Sequence, residues 1–292
     1  TLKGQALRGP TPLCEFGYAV SLSFDGSRVF IGAPQYGESI SEVYGLVQVF
    51  DFIGIGWVKV ANDIVGEHHA SRFANAIAAD ESGDRVVVGA PMDDEKWEDA
   101  GQVHWFQLND EGEWAEFITD SWTGAEEGSQ IGTRLATTFD ALFAVTGSRD
   151  YAVEEYDNAG VLVVYGIDPD KEASNCVGFP ISGSHEGAFF GYDVDMDDGG
   201  EMVIASGVNQ EDHAGSVRVL ELGSTGHYEM YGSELFGPKL GDQTWLGKGP
   251  SVAVAARQKR VAVGYESIMS NGLSLAEVRI YDYFAVTEYE ES

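Results

Sequence analysis

Residues 16–34 read Phe-Gly-Tyr-Ala-Val-Ser-Leu-Ser-Phe-Asp-Gly-Ser-Arg-Val-Phe-Ile-Gly-Ala-Pro. A large apolar residue and a small one open the stretch. Residues 18–24 then alternate as a half-buried strand does, and Asp25-Gly26 is a hairpin-turn signal. Residues 28–32 are mostly β-branched or aromatic and suit a pleated surface. Pro34 has no N–H to offer a ladder, so the second strand stops there. Outward from this core, 35–44 reads as a polar loop, Leu46–Phe52 as a third strand and 57–65 as a fourth, closed by Gly66.

The pattern returns along the chain. Its anchors are Phe16-Gly17, Phe73-Ala74, Ile131-Gly132, Phe190-Gly191 and Leu246-Gly247, spaced 57, 58, 59 and 56 residues apart. The second unit repeats the first almost step for step, with a turn at Ser82-Gly83, a stop at Gly89-Ala90-Pro91 and a third strand at Gln102–Leu108. Later units are looser: Asp140-Ala141 replaces the Asp-Gly turn, and Gly147-Ser148-Arg149 replaces Gly-Ala-Pro. Four short strands repeated at this period predict an all-β chain, a five-bladed β-propeller of four-stranded antiparallel blades. It reads as one domain over 1–292, with blades near 10–66, 67–124, 125–183, 184–237 and 238–292 plus 1–9.

The last assignment rests on phase. Gly66, Gly124 and Gly183 each precede the next anchor by seven residues, and so does Gly9 in Leu7-Arg8-Gly9. Residues 1–9 therefore read as a fourth strand without its own blade, and the fifth unit stops where its fourth strand is due. The expectation is that 1–9 pairs with 277–283 and leaves no blade edge open.

Acidic residues outnumber basic ones 48 to 17, for a net charge of −31. Such a surface repels phosphate backbones and anionic lipid, so nucleic acid is disfavoured as a partner. No apolar run is long enough for a membrane-spanning helix, and no membrane insertion is expected. Cys14 and Cys176 fall at different points of the repeat and are not expected to pair.

The run Phe16 to Val20, the Asp-containing turn and Val29-Phe30-Ile31-Gly32-Ala33-Pro34 together resemble the FG-GAP repeat of integrin α-subunit head propellers and many cell-surface and microbial proteins. Phe73 to Pro91 is similar, and weaker likeness covers all five units. The resemblance implies a propeller used for adhesion or protein recognition, extracellular or at a cell surface. Many such repeats carry a calcium loop between the first two strands, which needs several carboxylates in one turn. Here these turns are short, and no cofactor is expected. The one calcium candidate is the acidic hairpin holding Asp195, Asp197 and Asp198, with Asp193 and Glu201 nearby.

In a blade, the turns between strands one and two share one face of the disc. The two-to-three loops and the connections between blades share the other. The two-to-three loops are long and acidic: Asp93, Asp94, Glu95, Glu98 and Asp99 around Trp97; Asp150, Glu154, Glu155 and Tyr156; Glu211 and Asp212. Acids with exposed rings suit a protein partner with a basic surface, or a glycan. His185, equivalent to His68 after its blade-ending glycine, approaches His213 and its acidic neighbours in this arrangement, a candidate transition-metal pair. No nucleophile elbow, phosphate loop or metalloprotease motif occurs, so the chain leans away from an enzyme. A glycoside-hydrolysing propeller, and a structural subunit that makes its contacts through blade sides, remain open alternatives. Trp57, Trp114 and Trp122 are expected on fourth strands, packing between blades.

Overall fold

The structure, a computed structural model, describes residues 3–39, 42–118, 122–153, 156–168, 173–208, 215–237, 250–255, 260–268 and 274–282. Among them every regular element is a strand, and no helix is long and apolar enough to cross a membrane. Four successive antiparallel sheets share one strand order, and a fifth has three described strands. In the first, Val20–Leu22 pairs with Arg28–Ala33, which pairs with Leu46–Phe52. The fourth strand, expected as one piece over 57–65, is two: Trp57–Lys59 and Ile64–Val65 both pair with Leu46–Phe52. Between them Ala61 takes a φ of 61°, which turns the backbone out of the ladder. The first strands of successive sheets lie against one another, so these are the inner strands of a propeller-like arrangement.

The repeated motif has a steric origin. A Cβ built on Gly89 would lie 2.1 Å from the Gly132 carbonyl oxygen of the next sheet, and one on Gly147 would lie 2.3 Å from that of Gly191. The glycine ending one second strand thus packs directly on the small residue after the next anchor. Gly32 meets Ala74 in the same way. In the fourth sheet the position is Ser206, whose hydroxyl donates to the Pro250 carbonyl at 2.6 Å. The anchor Leu246-Gly247 lies outside the described residues.

Apolar seams fill the rest. Phe30, Val47 and Val49 of the first sheet pack against Phe73, Val86, Val88 and Trp114 of the second. Trp114 meets Phe30 edge-on at 5.4 Å, and Trp122 lies 4.3 Å from Tyr165 across the next seam. Both therefore pack between sheets, as expected. The first turns are also linked in series: Phe24 donates its N–H to the Glu81 carbonyl, Glu81 to Phe139 and Phe139 to Asp198. Cys14 and Cys176 are free thiols.

The N-terminal segment departs from expectation. Among the described residues, 3–9 pair with no strand of the fifth sheet. Gln5 donates to the Trp57 carbonyl at 2.6 Å and accepts from the Trp57 N–H, while the indole N–H donates to the Lys3 carbonyl. Leu7, Phe16 and Trp57 then cover Val29, Ile31 and Phe50 on the outer face of the first sheet. The Leu-x-Gly pattern encodes a buried side chain beside a tight backbone, and that requirement is met by covering a sheet face as well as by completing one. Trp57 accordingly packs under its own N-terminal segment instead of between sheets. Among the described residues, Ser274–Asp282 pairs with Arg260–Ile268 alone, and Val278 (72%) and Ile280 (68%) stay exposed, as does Val20 (56%) on the first sheet.

The glycine contact gives a direct test. Gly89→Ala should lower the free energy of unfolding by about 1–3 kcal/mol, the usual cost of overpacking. Gly199→Ala, with only the Glu201 side chain near at 3.9 Å, should change it by less than about 0.5 kcal/mol. Urea denaturation of the two variants checks the contrast.

Candidate functional site

The second sheet's two-to-three loop is built by its own acids. Asp93 is only 2% exposed. Its carboxylate accepts the Glu95 N–H at 2.9 Å through one oxygen and meets His68 Nδ1 at 2.8 Å through the other. Asp94 accepts the Asp99 N–H at 2.7 Å, which folds the loop back on itself. The loop is then tied to the following connection: Gly128 donates to the Glu98 carbonyl and Gln130 to that of Asp99. Trp97 projects from this fixed frame, 52% exposed. The five acids expected as one outward cluster are therefore divided. Asp93 turns inward, and Asp94 caps a backbone N–H, while Glu95 and Glu98 flank the indole in sequence.

Beneath the loop, at the seam between the first two sheets, lies a cavity of about 120 Å³. Glu67 and His68 from the connection, Asp93 and Glu95 from the loop, and His104 and Glu116 from the outer strands line it. Phe73 supplies the apolar wall, with its ring 5.5 Å from that of His104. Gln102 donates to Glu95 at 2.7 Å, and His104 Nδ1 meets Glu116 at 2.8 Å. Each imidazole Nδ1 faces a carboxylate that only accepts, so both donate a proton there and their Nε2 atoms are left for other partners. The Asp93 hydrogen bond raises the His68 pKa; burial opposes it by less, and the negative fields of Asp93, Glu95 and Glu67 add to the rise.

His104 and Glu116 were not legible as site residues from the sequence. The available signal was a histidine on a seam-facing position of a third strand. A broader basin of about 660 Å³ lies on the opposite face, among the first turns. Three of its carboxylates are committed to the turns themselves: Asp25 accepts from Ser23 and Ser27, Asp80 from Ser82 and Arg85, and Asp140 from Thr138 and Leu142; a fourth, Asp84, pairs with Arg28.

The other sequence candidates are spread out. Asp150 pairs with the neighbouring Arg149 at 3.2 Å, and Tyr156 is exposed. Glu154, Glu155, Glu211, Asp212 and His213 lie outside the described residues. His185 stands on the loop face beside Ser184. Asp195 and Asp193 tie sheets together, since they accept the N–H groups of Val254 and Val252, from the next sheet, at 2.7 and 2.9 Å. Asp197 accepts the Met202 N–H at 2.8 Å. Among the described residues no three His, Cys, Asp or Glu side chains converge on a point where a metal ion would fit. Burial pushes the Asp193 and Asp195 pKa values up, more than their backbone hydrogen bonds lower them.

No protein family and no curated protein matches the sequence. Solved structures do. The periplasmic gluconolactonase PpgL of Pseudomonas aeruginosa aligns over 89% of this chain and 71% of its own, with a TM-score of 0.56 and 10% identity. Saccharomyces cerevisiae Sqt1 aligns over 97% of this chain and 79% of its own, with a TM-score of 0.50 and 10% identity. The likeness is one of fold. It places the chain among propeller-like β proteins and carries no activity across.

Two titrations follow. A His68 pKa raised above 6.5 means that protonation stabilises the folded chain fully below pH 6.5, and that this contribution is lost as pH rises through the raised value. His68→Gln should remove that slope, leaving a flatter stability curve from about pH 6 to 8 in urea titrations. For Asp195 the pH dependence has the same sign but a different cause: a buried carboxylate with a raised pKa weakens the fold as pH rises above about 3.9, because ionisation is what burial penalises. Asp195→Asn keeps an oxygen acceptor for Val254 and should raise the melting temperature at about pH 7 but not at about pH 3.

Proposed function

We propose that this chain is a non-enzymatic recognition module that binds a protein with a basic surface through its acidic loop face. The observation that carries the reading is Trp97: an exposed ring on a loop whose backbone is fixed on both sides, next to an acid-lined cavity. Rigid aromatic anchors contribute large contact area at small ordering cost, and surrounding charge sets the encounter rate. The finer architecture proposed with it is a set of five FG-GAP-like blades, and the setting is extracellular or at a cell surface. The resemblance of residues 16–34 and 73–91 to that repeat supports both.

The reading requires no bound metal, because the acids of the Asp195–Asp198 hairpin that have assigned partners are engaged with backbone N–H groups. Chelator should leave the melting temperature unchanged. A fall reversed by calcium would restore the acidic hairpin as a metal site.

The binding test separates charge from anchor. Replacing Glu95 and Glu98 with Gln should slow association with a basic partner and flatten its salt dependence, whereas Trp97→Ala should mainly speed dissociation. Surface plasmon resonance on a partner captured from the native source reads both. Wild-type kinetics in both variants would move the interface to the sheet sides. Binding that depends on Trp97 but not on salt would indicate a glycan.

A further inference from the structure

The N-terminal segment repeats, contact by contact, the fourth strand of a sheet. At the seam between the first two sheets, Asn62 accepts the Trp114 N–H at 2.6 Å and donates to the Trp114 carbonyl at 3.1 Å. Gln5 makes the same two bonds to Trp57. A Cβ on Gly66 would lie 2.7 Å from the Phe73 Cβ, and one on Gly9 would lie 2.6 Å from that of Phe16. Residues 5–9 thus stand on the first sheet as 62–66 stand on the second. Residues 64 and 65 also pair with the third strand of their own sheet, whereas 5–9 have no such strand among the described residues.

The fifth sheet carries the matching half. Register with the third strand aligns Gly32, Gly89, Gly147, Ser206 and Gly264 as the motif residues of the second strands. The first four press on the sheet that follows them. A Cβ on Gly264 would meet only the Ser251 carbonyl of its own sheet, at 4.0 Å, and one on Gly17, after the first anchor, would meet nothing. Arg28 and Arg260 show the same difference. Each donates through Nε to an aspartate opposite it, Asp51 or Asp282, but Arg28 also crosses the seam to the Gly83 carbonyl at 2.8 Å. Its side chain is 14% exposed, against 57% for Arg260. A strand added to the fifth sheet as 64 and 65 are added to the first would set Leu7 opposite Val278 and Arg8 opposite Glu277, an opposite-charge pair.

We propose that the fifth sheet of one copy docks on the first sheet of a second copy, whose residues 5–9 complete it as an outer strand. Within one chain the two halves stand apart, since Tyr18, Val20, Leu22, Val278 and Ile280 are all exposed. A second copy brings the missing face with the seam geometry that the chain already uses internally. Strand addition supplies main-chain bonds, and the covered apolar residues supply the rest. The contact is heterologous, so one free half remains at each end and the contact can repeat. The charge of −31 opposes it, and salt relieves that repulsion. The surface is the sheet side, independent of the loop face proposed for recognition.

Sedimentation velocity of the intact protein over a range of concentrations, at about 0.1 and 0.5 M salt, tests this. Mass should grow with concentration, and more so at the higher salt. Gly264→Glu enters open space within one chain and should weaken association about tenfold or more, while Gly199→Glu, adding the same charge elsewhere, should leave it unchanged. Val20→Asp and Val278→Asp each block one half, so each variant alone should stay monomeric. Their equimolar mixture should form a dimer that grows no further. A wild-type monomer at every salt and concentration overturns the proposal; if both aspartate variants then also melt several degrees lower, the chain's own fifth sheet fills the seam. Growth of either single variant, or a mixture that stays monomeric, overturns it as well.

Discussion

Gly89 and the Gly132 peptide sit in backbone-to-backbone contact, and the equivalent approach recurs at the next seam and, with Ala74, at the one before. Each side chain in a seam inherits its position from that contact. Because the inner ends of adjacent sheets touch, Phe30 can reach Trp114 and Trp105 can reach Tyr165 in direct ring contact. Packing at this density penalises any added atom at Gly132 and Gly191, and all four described residues after the anchors, Gly17 and Ala74 included, hold a positive φ that disfavours larger side chains. The fourth sheet meets the same geometry by another route, a serine hydroxyl bonded across the seam.

The same constraint leaves freedom further out. The third-strand position one residue past the partner of the motif residue changes from Gln48 to His104, Val163 and Arg218 with no loss of register. Local chemistry follows that choice. Gln48 is satisfied by Asp63 and Arg218 by Glu234, while His104 with Glu116 opens a cavity that the second sheet's loop then walls with Asp93. The candidate site is therefore a variation at one repeat position, held by a frame that does not vary.

The strands, turns and seams were largely legible because each is encoded within a short stretch: alternation, Asp-Gly or its substitutes, and a proline or glycine stop. Ala141 could replace the turn glycine because Asp140 holds the hairpin by accepting the Leu142 N–H. The N-terminal segment was misplaced because its pattern specifies burial but not the surface that buries it. Gln5, which bonds both polar groups of the Trp57 backbone, carried no such message in sequence. The site was legible in part. Asp93 and Trp97 stood out by composition, but their division of labour depends on His68, 25 residues away, and on the loop's hydrogen bonds to the next connection. Asp193 and Asp195 stood out because they share the most acidic of the first hairpins with Asp197, Asp198 and Glu201; the N–H groups they accept lie 59 residues downstream, which no local pattern encodes.

The series of bonds from Phe24 to Glu81, Phe139 and Asp198 joins residues one repeat apart, and the sheets contact their sequence neighbours. Each step closes a loop of similar length, so the entropic cost of adding a sheet is nearly the same at every stage. Among the described residues, each sheet is positioned by contacts with its neighbours in sequence. As it leaves the ribosome, one sheet at a time can dock on the template already formed, and the edge it exposes is covered by the next repeat to emerge.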